Sequence, residues 1–103
     1  NIGVIYHRKG NDTKALEYQE KALPYARQAN DSNVQSSIYA LLSEIYLDQN
    51  QPSKSLEALF KGLTNVQNVG SKFILVDYYK RLARVYAFQA DSGKAYQYQL
   101  LAS

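Results

Sequence analysis

The sequence predicts an all-α fold, a stack of antiparallel helix pairs, on three observations. First, shifting the 103-residue chain by forty residues aligns Ile2 with Leu42 and Leu82, Gly3 with Ser43 and Ala83, and Tyr6 with Tyr46 and Tyr86. The same shift aligns Ala15, Ser55 and Ala95, then Ala22, Gly62 and Ala102. Five columns of matched size in register mark an internal repeat, and repeats of this length build stacked arrays. Second, apolar residues fall at helical spacing: Tyr39, Leu42 and Tyr46 share one face, and Tyr79, Leu82 and Tyr86 repeat it. Third, no stretch alternates with period two over a useful length.

Each copy reads as two helices, and the spacing predicts helices near 1–9, 12–29, 33–49, 52–68, 72–89 and 92–102. The first ends at Lys9-Gly10-Asn11-Asp12, where Gly10 suits the left-handed residue that closes a helix and Asp12 suits a restart. The second runs through Ala15, Leu16 and Ala22; Pro24 lies inside it, removes one backbone bond and should bend its last turns. Ala29-Asn30-Asp31-Ser32-Asn33 is a polar turn to the third. Gln49-Asn50-Gln51-Pro52-Ser53 separates the third from the fourth, with Asn50 in the closing role and Pro52 tolerated in a first turn. The fourth carries Leu56, Leu59 and Leu63, and Asn68-Val69-Gly70-Ser71 leads to the fifth. Gln89-Ala90-Asp91-Ser92-Gly93 precedes the last helix, which carries Ala95 and Leu100. The small column of Gly3, Ser43 and Ala83 lets neighbouring helices approach, and a bulky side chain at Ala83 should cost about 1–3 kcal/mol of overpacking.

Composition excludes several classes. A hydrophobic share of 46% is too high for a disordered tail. No apolar run approaches the roughly 20 residues of a membrane-spanning helix, and no signal peptide opens the chain. Cysteine is absent, so there are no disulfides or thiolate metal sites. Methionine is absent even at position 1, which reads as a piece of a longer protein. The net charge of +3 is concentrated in the last third, well short of the dense stripes of a nucleic-acid-binding domain.

A search for chemistry returns little. His7 is the single histidine and reads as a solvated helix residue; with no second histidine and no cysteine, a zinc site is not expected. Glu44 and Asp48 stand four apart on one helix and read as a solvated acidic strip. Asp31-Ser32 and Asp91-Ser92 read as helix caps. Nucleophile-elbow, phosphate-loop and dinucleotide patterns are absent. The expectation is a non-enzyme with no cofactor and no metal.

The stretches Tyr39-x-x-Leu42-Ser43-x-x-Tyr46, Tyr79-x-x-Leu82-Ala83-x-x-Tyr86 and Ile2-Gly3-x-x-Tyr6 resemble the tetratricopeptide repeat. Two features depart from it. The period is forty rather than the usual 34 or so, most simply through a longer second helix, and the expected proline is missing from both linkers. The resemblance implies a right-handed superhelical stack over 1–103 as a single domain, with a truncated repeat at 1–32 and repeats at 33–70 and 71–103. It also implies a protein- or peptide-binding module whose first helices line a concave groove. On that basis the groove side presents Val4, His7 and Arg8, then Ser37, Ala40, Glu44 and Asp48, then Asp77, Lys80, Arg84 and Phe88, with Arg81 at its border. An acidic patch would then lie beside a basic one. Long-period copies resemble those of bacterial signalling and regulatory proteins, implying a cytoplasmic or periplasmic segment of a larger chain. The alternative is a structural spacer or homodimerisation element joining through its end helices. Nucleic acid is a poor fit, and the segment itself has no membrane contact to make.

Overall fold

The computed structural model describes residues 2–69 and 71–103. Asn1, Gly70 and the side chains of Ile2, Asn68 and Val69 lie outside the described residues, and with them one member of the large-residue column and most of the expected turn at 68–71. Six helices follow in order: α1 (Ile2–Arg8), α2 (Asp12–Gln28), α3 (Ser32–Asp48), α4 (Pro52–Val69), α5 (Lys72–Phe88) and α6 (Ser92–Ala102). No strand occurs among the described residues. Pro24 lies inside α2, which continues past it to Gln28. The helices of the middle unit are nearly equal, 17 residues in α3 and 18 in α4, so no outsized second helix absorbs the long period.

The helices turn back on one another through a recurring connection. Gly10, Asn30, Asn50 and Ala90 all take positive φ, between 53° and 79°. At each, the left-handed residue donates its N–H to a carbonyl three back, and the next residue donates to a carbonyl five back. These bonds are Gly10 to His7 and Asn11 to Tyr6, Asn30 to Arg27 and Asp31 to Ala26, Asn50 to Leu47 and Gln51 to Tyr46, and Ala90 to Ala87 and Asp91 to Tyr86. This is the Schellman closure, which satisfies carbonyls that a helix end would otherwise leave open. The residue that completes it also starts the next helix. Asn11, Asp31 and Asp91 accept through their side chains from the N–H groups of Lys14, Val34 and Lys94. Ser71 does the same for Ile74. A three-residue link therefore ends one helix and caps the next, and it forces an antiparallel return.

Packing follows chain order, so that each helix meets mainly the one before and the one after. One group joins α2 and α3 through buried Ala15, Leu41 and Ile45, with Val4 and Tyr6 of α1 packed against it. A second joins α2, α3 and α4 through Ala26, Ile38, Tyr39, Leu42 and Ala58. The third and largest joins α3 to α6 through Leu59, Val66, Tyr78, Leu82, Val85 and Ala95, among others. Leu42 and Leu82 occupy matching places, each buried between the preceding helix and the following one. The small columns meet where close approach is needed: buried Ser55 donates its hydroxyl to the Ser43 carbonyl at 2.8 Å. The aromatic column is served in parallel fashion at both ends, with Tyr6 stacked on Tyr18 at 5.4 Å and Tyr86 on Tyr98 at 5.6 Å.

One core residue departs from the expected face. Tyr79 is half-buried, whereas its neighbour Tyr78 is buried outright and donates its hydroxyl to the Ser36 carbonyl of α3. Burial pushes that hydroxyl well above its ordinary pKa, so it remains a proton donor. Gly62 makes room for it: a Cβ there would overlap the Tyr78 hydroxyl and stand 2.8 Å from Tyr39 Cβ.

Two stability predictions follow from backbone and packing together. Gly62→Ala should destabilise the protein by about 1–3 kcal/mol in thermal or urea melts, although helix propensity alone favours alanine. Gly93→Ala in the same assay is the control, since a Cβ there meets only an Asp91 oxygen at 3.8 Å. Ala90 stands at φ 60°, so Ala90→Gly should stabilise by about 0.5–1 kcal/mol, raising the midpoint by a few degrees.

Candidate functional site

Because successive helices alternate in direction, α1, α3 and α5 lie on one side of the stack. Between them runs a groove of about 720 Å³, lined by Val4, His7 and Arg8 from α1, by Ser36, Ser37, Ala40, Leu41 and Glu44 from α3, and by Phe73, Ile74, Asp77, Tyr78 and Arg81 from α5. Aliphatic side chains sit alongside hydroxyl and charged groups. Phe73 stands at one side with 90% of its surface exposed.

The sequence-derived candidates divide into two sets. His7, Arg8, Ser37, Glu44, Asp77 and Arg81 line the groove; Asp48, one turn beyond Glu44, lies outside the lining but 3.9 Å from His7 Nε2. Lys80 instead lines a neighbouring hollow of about 490 Å³ with Lys72, Phe73, Val76 and Asp77. Arg84 and Phe88 are exposed and lie outside the groove lining. The expected basic patch therefore contributes one cation to the groove wall, Arg81, the residue placed at the border by sequence alone.

Arg81 ties α5 to α3. Its Nε donates to Asp77 Oδ2 at 2.8 Å, one guanidinium nitrogen donates to the Ala40 carbonyl at 3.3 Å, and the same nitrogen lies 3.9 Å from Glu44 Oε2. The i,i+4 pair with Asp77 holds the guanidinium over the groove, and exposed pairs of this kind contribute little stability of their own. Its value is positional.

His7 is not the solvated residue that its sequence context suggests. Its side chain is 18% exposed, Nδ1 lies 2.8 Å from Asp12 Oδ1, and Nε2 lies 3.7 Å from Glu44 Oε2 and 3.9 Å from Asp48 Oδ2. The α1–α2 connection produces this arrangement by setting the last turn of α1 against the first residue of α2. The acidic strip of α3 then closes over the ring. The Asp12 hydrogen bond raises the imidazole pKa above 6.5 against the opposing effect of burial, with Glu44, Asp12 and Asp48 charges adding to the rise.

Sequence reasoning missed Phe73, Ile74, Tyr78, Ser36 and Leu41 as groove residues. Phe73 had a readable signal: it precedes Asp77, Lys80 and Arg84 by four, seven and eleven positions, the spacing of one helical face. Tyr78 had none, because it serves core and groove together.

The His7 cluster makes stability depend on pH. A folded-state pKa above the unfolded value means that the native state holds the proton more tightly, so protonation favours folding. The contribution is complete below about pH 6.5 and disappears as pH rises through the raised native value. Thermal melts in chelator-treated buffer should show a midpoint that falls across this window, and His7→Gln should flatten the fall.

A family model described as Tetratricopeptide repeat matches residues 1–68, more than half of the chain. No curated protein matches it. Such repeats are non-catalytic modules of protein–protein interaction. With the six-helix stack and its groove, this match settles the classification: the chain belongs to the tetratricopeptide repeat family.

Proposed function

We propose that the groove of α1, α3 and α5 captures an extended or helical segment of a partner protein, as part of a larger regulatory or signalling protein of bacterial type. The observation that carries this reading is the groove itself: about 720 Å³, with aliphatic surface beside opposed charges. Aliphatic surface gives a peptide somewhere to bury side chains, while Glu44 and Asp48 on one side and Arg81 on the other fix its direction. Copy-to-copy divergence supports the same face. Core columns keep their size, as in Gly3, Ser43 and Ala83, whereas columns carrying groove residues change character: Val4, Glu44 and Arg84; Ser37 and Asp77; Leu41 and Arg81. The forty-residue period supports the regulatory setting through its resemblance to long-period arrays of such proteins.

A display library of random peptides, selected on the chain, tests the groove. Selected peptides should bind Arg81→Glu and Phe73→Ser about tenfold or more weakly, and Arg84→Glu almost unchanged. Equal binding by Phe73→Ser and Arg81→Glu would remove the groove assignment. A second reading, a spacer or self-association element, draws support from α6, whose Tyr96, Leu100 and Leu101 are largely exposed. Sedimentation at rising concentration separates the two, because self-association should increase the weight-average mass and a persistent monomer leaves that reading without support.

A further inference from the structure

We propose that His7, Glu44 and Asp48 form a binding site for a first-row divalent metal ion of the zinc type, with Asp12 holding the imidazole in place. The four residues come from three helices. His7 lies in the last turn of α1, Asp12 opens α2, and Glu44 and Asp48 lie one turn apart on α3. One ligand atom from each of His7, Asp12 and Asp48 lies within 4.8 Å of the other two, and Glu44 Oε2 stands 3.7 Å from Nε2.

The imidazole is already arranged for such a role. Asp12 accepts a hydrogen bond from the Nδ1–H at 2.8 Å, which fixes the tautomer and turns Nε2 toward the two carboxylates of α3. A carboxylate behind the ring is the usual outer partner of a metal-bound histidine. Zinc bonds of roughly 2.0–2.2 Å place tetrahedral ligands roughly 3.3 Å apart. The observed Nε2 separations of 3.7 and 3.9 Å exceed this by a few tenths of an ångström; Glu44 falls outside the set already within 4.8 Å, so its side chain and that of Asp48, at 32% and 43% exposure, rotate toward one another to complete the triad. That exposure also leaves a path for the ion to enter and a coordination position facing solvent.

Charge gives a separate reason. Asp12, Glu44 and Asp48 bring three negative charges around one ring, and Arg81, 3.9 Å from Glu44, is already paired with Asp77 at 2.8 Å. A protonated imidazole leaves the group two negative charges in excess. A divalent ion on a neutral imidazole reduces that excess to one. Mixed nitrogen and oxygen donors favour zinc over the all-oxygen sites preferred by calcium and magnesium. The sequence argued against a metal because it offers one histidine and no cysteine; the carboxylates that complete the set become neighbours only after folding.

The single histidine makes the test direct, since the ring resonances of the chain without an affinity tag belong to His7 alone. Titration with zinc chloride should shift them until one ion is bound per chain, and magnesium chloride should leave them in place. Calorimetry should show zinc affinity reduced more than about tenfold in His7→Gln and in Asp48→Asn, and by about 10–100-fold in Asp12→Asn. Ring signals unmoved by millimolar zinc would overturn the proposal, and so would unchanged affinity in a His7→Gln protein with native circular dichroism. No peptide enters this titration, so its outcome is independent of the partner-binding reading.

Discussion

The constraint from which the rest follows is the connection between helices. At Gly10, Asn30, Asn50 and Ala90 the backbone enters the left-handed region for one residue, satisfies the preceding carbonyls, and continues directly into the next helix. Such a link has almost no freedom to vary the return angle, so the helices it joins lie antiparallel. Long helices joined this way cannot fold back on distant partners. They bury their apolar faces on the helices before and after, which is the nearest-neighbour logic of repeat proteins. The buried groups, each drawn from consecutive helices, are the consequence. The groove is a second consequence, because alternation of direction puts α1, α3 and α5 on one side without any contact designed for the purpose.

Most of this was legible in the sequence because the repeat reports it several times over. Gly10 and Asn50 are residues that accept positive φ, so the closures near them could be placed directly. Ala90 could not, since alanine is the best helix former and signals nothing of the kind. Its role is visible only by laying Asn50 over it. The helix that follows supplies the missing information: Asp91 caps α6 from the same position that Asn11 and Asp31 use for theirs.

The candidate site was legible to a lesser degree, for a physical reason. Sequence spacing fixes which face a residue occupies but not how far its side chain reaches. Lys80 and Arg84 share the face of Asp77, yet Arg81 is the side chain that crosses to α3. Tyr78 was hidden by its neighbour, because Tyr79 continues the apolar stripe and the hole that admits Tyr78 lies at Gly62, on another helix. His7 was misread for a related reason. The sequence shows Asp12 five positions away, across a break; the closure at Gly10 turns that break into a contact.

Core and groove therefore follow different rules. A core position is bound by volume: Gly62 admits no Cβ, and Ser55 and Ser43 are locked together by a buried hydrogen bond. A groove position answers only to solvent and to whatever lies opposite, so the column that holds valine in one copy holds glutamate and arginine in the next two. Electrostatic character can be rewritten there at small cost in stability, since exposed charges contribute little to folding. His7 is the exception that joins the two regimes. It lines the groove, but its hydrogen bond to Asp12 braces the turn between α1 and α2.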